Sequence, residues 1–302
     1  MRTTPGVEVT DGQRKELERQ LNEAIDQSGL DKAGAQRVLG RGGEFLSTNI
    51  VLLRRLGSLT NPFGGEEVGQ TWFSPKGWKP SSLGDQAENL AKSLQGFEPQ
   101  WREDTSGLVI PDSADGICLL PTLTSLGKLW SITDPYRSIG EVIEKVCVAI
   151  AGQRAITNYR HGELTEQYVR LPEGFVDRLQ PLEEEAEHQG YNCLTLPFHF
   201  GDWKTGKCYS PRNATWQALN LPPRRLPLCV AQNGCLLLGM PDRLTNYEQL
   251  FIDCCDQYSW CAGGRWSYSP YFDFGGAQLG FGTRDARSAG DHYSLPVAFL
   301  GV

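Results

Sequence analysis

The sequence predicts an α+β fold: an N-terminal helical segment packed on a mixed or antiparallel sheet, with β-hairpins in the C-terminal third. Three observations predict it. Apolar residues recur at helical spacing in several separate segments of the first two thirds. Short apolar runs split by Asn-Gly or Gly-Gly, pairs that accept positive φ, dominate the last third. The 34 glycines, 18 prolines and 8 tryptophans favour turns and irregular connections around aromatic packing over a simple bundle.

Residues 11–28 read as a helix with Asp11 as N-cap, Leu17, Leu21, Ala24 and Ile25 on one face, and Gly29 as the stop. Helices over 31–39 and 43–56 follow, the latter with Phe45, Leu46, Leu52, Leu53 and Leu56 inward, and Gly57 ends the segment. Residues 58–80 then turn to Gly, Pro, Trp and Phe. This sets a boundary between a helical segment, 1–57, and an α+β main domain, 58–302, with a single unit from about 30 to 302 as the alternative. Trp72, Trp78 and Trp101, in or near this stretch, are expected to anchor packing.

Ser82-x-x-Asp85 opens a helix carrying Leu83, Ala87, Leu90, Ala91 and Leu94 on one side and stopping at Gly96. Residues 108–110 and 117–120 are short apolar runs expected to be strands. Ser138-x-x-Glu141 opens a second helix, whose Ile139, Val142, Ile143, Val146 and Ile150 should be buried. A helix over 173–189 contains Pro181, which is expected to kink it or begin a new one, and presents the run from Glu183 to Glu187 to solvent. Residues 191–200 are rich in strand formers, and Ser210-Pro211 sets the N-cap and first position of a short helix. Runs 226–230 and 235–238 flank Asn233-Gly234 and predict a hairpin. Residues 271–281, with Gly275-Gly276 between alternating aromatics, predict another, and 294–300 one more strand.

The hydrophobic share of 39% and charged share of 22% are those of a globular chain with a real core. A net charge of −7 gives no global attraction to phosphate backbones, and the doublets Arg54-Arg55 and Arg224-Arg225 are too short for a binding stripe. No nucleic-acid partner and no membrane partner are expected. Residues 1–22 carry no apolar signal core, and the longest apolar run, 235–240, is too short to span a bilayer. Nine cysteines, an odd number in a chain of this size, suggest reduced thiols and a cytoplasmic setting.

Phosphate-loop, dinucleotide, nucleophile-elbow and H-E-x-x-H motifs are all absent, and no cofactor is expected. The spacings of Cys254, Cys255 and Cys261 suit zinc poorly, leaving them as weak metal candidates at most. The densest chemistry lies in 250–258, where an apolar run leads into Asp253, Cys254, Cys255, Asp256 and Tyr258. Carboxylates there could do acid–base work, and His199 could act as a base oriented by Asp202 or Asp253. His161, beside Glu163, is a second possible base. Each also has a structural reading: a packed histidine between phenylalanines, or a strand ending in an Asp-capped turn.

Further short segments carry a resemblance: Arg41-Gly42-Gly43-Glu44-Phe45, Leu194-Thr195-Leu196-Pro197-Phe198-His199-Phe200-Gly201, Met240-Pro241-Asp242-Arg243-Leu244, Phe251-Ile252-Asp253-Cys254, Pro270-Tyr271-Phe272-Asp273-Phe274 and Val297-Ala298-Phe299-Leu300. On these the chain resembles a family of uncharacterised bacterial proteins with no assigned activity. The resemblance implies a bacterial, cytoplasmic setting and one unit from about residue 30 onward, with Cys255 and Cys261 particular to this chain. The expectation is therefore a soluble binding or assembly protein with an unidentified protein partner. The alternative is a hydrolase-like enzyme using His199 with Asp253 and Asp256; convergence of these groups in one pocket would favour it.

Overall fold

The computed structural model describes residues 10–42, 61–70, 78–201, 206–221, 224–259 and 264–300. Packing divides the chain into two units, Met1–Thr60 and Asn61–Val302. In the first unit, helix α1 (Asp11–Gln27) ends before Gly29, whose φ of 65° turns the chain left-handed. Helix α2 (Lys32–Gly40) is capped by Asp31, which accepts from Gly34 N at 2.6 Å. Leu17, Leu21 and Ile25 line α1 and stay exposed. The helix expected over 43–56 lies outside the described residues.

The second unit is an α+β fold. In chain order it runs β1 (Glu67–Gly69), α3 (Leu83–Ser93), β2 (Gly116–Pro121), α4 (Leu123–Trp130) and α5 (Ile139–Gln153). It continues through β3 (Ile156–Asn158), β4 (Val169–Arg170), α6 (Phe175–His188), β5 (Cys193–His199), β6 (Lys207–Tyr209) and α7 (Pro211–Asn220). The chain then forms β7 (Arg225–Pro227), α8 (Val230–Gly239), β8 (Phe251–Asp253) and β9 (Gln257–Tyr258). The long strands β10 (Tyr268–Gly275) and β11 (Gln278–Asp285) and the short β12 (Tyr293–Ser294) and β13 (Val297–Phe299) follow. Among the described residues, no helix is long and apolar enough to cross a membrane.

Two sheets carry the unit. One has four strands in the order β2-β5-β13-β7, all antiparallel; the other is mixed, with the path β12-β8-β10-β11-β3 and with β9 pairing both β10 and β4. A separate ribbon joins β1 to β6. Helix α8 lies between the sheets: it packs on α3, α5 and β2, and Gly234 faces both Val146 of α5 and Phe272 of β10. Every residue of α8 is buried.

Local signals explain many of these elements. Ser82 accepts from Asp85 N at 3.1 Å and Ser210 from Asn213 N at 3.3 Å, fixing the starts of α3 and α7. Ile139, Val142, Ile143, Val146 and Ile150 are all fully buried along α5, although Ser138 makes no side-chain cap there. Trp78 and Trp101 pack against the core.

Three local expectations are corrected. Residues 108–110 form no strand, and Val109 and Ile110 are exposed. Helix α6 is continuous through Pro181, so no new helix begins there, and within it Glu183 is buried rather than solvated. Its carboxylate accepts from Leu123 N at 2.8 Å, Thr124 N at 3.1 Å and Tyr136 Oη at 2.6 Å, anchoring the first turn of α4. The second hairpin exists, but its two-residue loop is Gly276-Ala277, with φ of 59° and 66°, because Gly275 pairs with Gln278.

The largest correction is at 226–238, where the expected hairpin is β7 followed by α8. Asn233-Gly234 makes no turn. A Cβ on Gly234 would come within 2.3 Å of Val146 Cγ1, so glycine there permits close approach of two helices. Gly234→Ala is therefore expected to lose about 1–3 kcal/mol in urea denaturation through overpacking. Ala277→Gly should match or exceed the parent, since it relieves a left-handed alanine. A Gly234→Ala protein as stable as the parent would refute the packing argument.

Candidate functional site

The sequence-predicted cluster sits where β8 ends and β9 begins. Asp253 is fully buried, with Arg284 Nε of β11 3.0 Å from Oδ1 and Arg284 Nη2 donating to Oδ2 at 3.2 Å. Burial pushes its carboxyl up to about 6 against the pull of Arg284. Asp256 is also fully buried; Oδ2 accepts from Val230 N at 2.6 Å at the start of α8, and Oδ1 has no hydrogen-bond partner among the described residues. Burial pushes this carboxyl up to about 7. Two buried acids thus serve an arginine and a helix end.

The neighbouring thiols are equally enclosed. Asn233 Nδ2 donates to Cys254 Sγ at 3.4 Å, and Cys255 Sγ donates to Pro227 O at 3.6 Å. Burial, reinforced by Asp256, raises both thiols well above their ordinary range, which disfavours the thiolate that nucleophilic attack or zinc binding requires. Cys261 lies outside the described residues. Among the described residues, no group of three or more His, Cys, Asp or Glu is placed to hold a metal ion.

His199 closes β5, in the other sheet. Its Nδ1 accepts from Gly201 N at 3.0 Å and its ring meets Phe299 edge-on at 5.5 Å. It lines a cavity of about 30 Å³ with Tyr209, Gln217, Arg225 and Ser294, space for one water-sized group. Asp253 and Asp256 take no part in that lining, so this cavity does not join the three candidate residues. His161 is largely exposed, 3.2 Å from Glu144. Asp202 lies outside the described residues.

A groove of about 870 Å³ opens on the other side of the Cys255 turn. One wall is α7, with Arg212, Thr215, Trp216 and Leu219; the facing wall is the stretch from Arg265 to Ser269 at the start of β10. Pro172, Glu173 and Asp177 close it near the start of α6, and Phe63 and Arg287 contribute to its lining. Cys255 and Gln257 reach it from the β8–β9 turn. Ser269 Oγ donates to Cys254 O at 2.9 Å and to Asp256 O at 3.0 Å, so the turn is fixed from the groove side.

Half-buried and exposed arginines set the walls. Arg178 donates to Ala218 O at 3.0 Å and Arg225 O at 2.7 Å, tying the first turns of α6 to the end of α7. At the other end of α7, Glu66 accepts from Arg212 Nε at 3.0 Å and Ser210 Oγ at 2.6 Å, and Arg212 lies 4.4 Å over the Phe63 ring. Arg170 stacks 4.2 Å over Trp266 and donates to Gln257 Oε1 at 2.8 Å. Arg287 pairs with Asp285 at 2.7 Å and holds that carboxyl down to about 2.

Comparisons of the chain with protein-family models, curated proteins and solved structures find no match. The groove must be read from its own chemistry. Of the sequence candidates among the described residues, Cys255 alone lines it; Trp216, Trp266, Arg212, Arg265 and Arg287 carry no motif. The one signal that touched them was the Ser210-Pro211 helix start, which places Arg212 and Trp216 four apart on one helix face.

The buried acids generate a pH dependence. Folding raises the carboxyls of Asp253 and Asp256 from 3.8 to about 6 and about 7, so the native state holds more protons than the unfolded chain between those values. Their contribution is complete below about pH 4 and is lost as pH rises through 6 to 7. Melting temperature should fall between pH 5 and 8 in the parent, and the fall should be smaller in Asp256→Asn, whose amide oxygen still accepts from Val230 N. An unchanged slope in that variant would remove Asp256 as the source.

Proposed function

We propose that this chain is a soluble, cytoplasmic binding protein that holds a small molecule in the groove beside α7. The observation that carries the reading is the groove itself: a volume of about 870 Å³, with four half-buried aromatic rings and a few fixed polar groups converging on one space. Ligand sites of small molecules have this size and this mixture of apolar wall and placed polar groups. A reducing compartment is supported by the eight described cysteines, all free and buried.

The hydrolase reading has less support. His199 faces a space of about 30 Å³, too small for a substrate, and Asp253 is committed to Arg284. Asp256 is committed to the start of α8. The groove brings Cys255 and Ser269 to its floor, yet the thiol is raised by burial and the hydroxyl hydrogen is engaged with backbone carbonyls. Neither has an adjacent base among its described partners.

A thermal-shift screen of the purified protein against a small-metabolite library tests the proposal. At concentrations near a hundredfold above Kd, a groove ligand should add roughly 2.7 kcal/mol of stability and raise Tm by several degrees. Trp216→Ala should weaken that ligand about tenfold or more while leaving the unliganded Tm near the parent's. Ligands that stabilise both proteins equally bind elsewhere, and a screen without a Trp216-dependent hit would count against the binding reading.

A further inference from the structure

Resting on that reading, we propose that the groove's ligand is a neutral saccharide, a short oligosaccharide laid along α7. The charge distribution is the first argument. Three arginines line the groove, but Arg212 is held by Glu66 and Arg287 by Asp285. Although burial pushes it up, the Glu66 carboxyl sits below its ordinary value because Arg212 and Ser210 bond to it, so that pair stays ionised and internally satisfied. The remaining guanidinium, Arg265, makes no ion pair with a described residue, and the groove sets against it the carboxylates of Glu173 and Asp177. A phosphate or polycarboxylate would meet no surplus of positive charge here, and a cation would meet Arg265. The groove suits a ligand without net charge.

The aromatic rings are the second argument. Phe63, Trp216, Trp266 and Tyr268 are all half-buried, leaving part of each ring accessible. The Trp266 plate is braced by Arg170, 4.2 Å away, so its position is set before any ligand arrives. Flat apolar rings of this kind match the C–H faces of pyranose rings, which have the same mix of apolar face and polar edge as the rings' own surroundings.

The hydrogen-bonding set is the third. Glu173 and Asp177 accept and Arg265 donates; Thr215 does both, Asn220 keeps its carbonyl and one N–H beyond its bond to Trp216 O, and Ser267, which donates to Arg265 O, accepts. Each sugar hydroxyl is at once donor and acceptor and satisfies either kind of partner. A purely apolar ligand would strip water from these groups without replacing its hydrogen bonds, which is costly. The volume of about 870 Å³ leaves room for more than one linked ring.

An array of neutral oligosaccharides, with nucleotides and other organic anions as comparison probes, tests this on the full-length protein, followed by calorimetric titration of the best hit. At least one saccharide should bind, with an affinity indifferent to added salt. Trp216→Ala and Trp266→Ala should each weaken it about tenfold or more, and Trp216→Phe, which keeps a plate, should weaken it less. Circular dichroism confirms that each variant is folded. If anions bind instead, with Trp216 dependence and loss at high salt, the groove is a binding site and the saccharide assignment is wrong. If no probe binds in a Trp216-dependent way, both the assignment and the binding reading fall.

Discussion

Burying an entire helix is the constraint on which the second unit depends. All ten residues of α8 are buried, so its free N–H groups at one end and free carbonyls at the other have no water to turn to. The chain supplies partners from distant segments. Asp256 accepts from Val230 N, and Gln232 Oε1 accepts from Cys229 N at 3.2 Å. At the far end Gln153 donates to Leu238 O at 3.0 Å, Asn89 to Gly239 O at 3.0 Å and Arg154 to Leu237 O at 3.4 Å. A carboxyl at the start and a guanidinium at the end also complement the helix dipole. Meeting these demands fixes α3, the end of α5 and the β8–β9 turn around one helix.

The same device recurs elsewhere in the unit. Glu183 of α6 gathers two backbone N–H groups at the start of α4, and Arg178 gathers carbonyls at the end of α7. Arg243, fully buried, lies 4.8 Å over Phe200 and donates to Leu250 O at 2.5 Å. Burial lowers the guanidinium of Arg243 to about 10, still far above neutral pH, so it is held charged inside. Ionisable side chains in this interior close backbone accounts that the secondary structure leaves open. The densest run of acids and thiols in the sequence lies under the groove, and there Asp256 caps the start of α8.

What was legible in the sequence divides along physical lines. The starts of α2, α3 and α7 were set by local caps, and the burial of α5 by its apolar spacing, so these could be read from a few neighbouring residues. The β10–β11 hairpin was readable from its glycines, with the loop one residue later than expected because the strand register, not the dipeptide, decides which residues turn. Helix α8 is not legible in the sequence because Asn233-Gly234 has the same local signature whether glycine supplies a turn or a close helix contact; only the partner, Val146, distinguishes them. Glu183 was misread for a similar reason, since a run of glutamates says nothing about which one lies over the start of another helix. The groove was out of reach because its rings come from Phe63, Trp216, Trp266 and Tyr268, residues that no local pattern unites.

Scaffold and groove meet at one turn, and this governs how substitutions there are to be interpreted. Asp256 holds the start of α8 through its side chain while its own carbonyl, like that of Cys254, accepts from Ser269 on the groove floor. Cys255 and Gln257, on either side of it, line the groove. Gln257 in turn accepts from Arg170, which braces Trp266. A substitution at Asp256 therefore perturbs the floor and one wall, although Asp256 does not itself line the groove. Loss of binding in such a variant reports the position of the turn, whereas loss in a Trp216 variant reports contact. A binding defect in an Asp256 variant is thus no evidence for catalysis by that acid: Asp256 is tied to the groove through the turn it shares with Cys255 and Gln257.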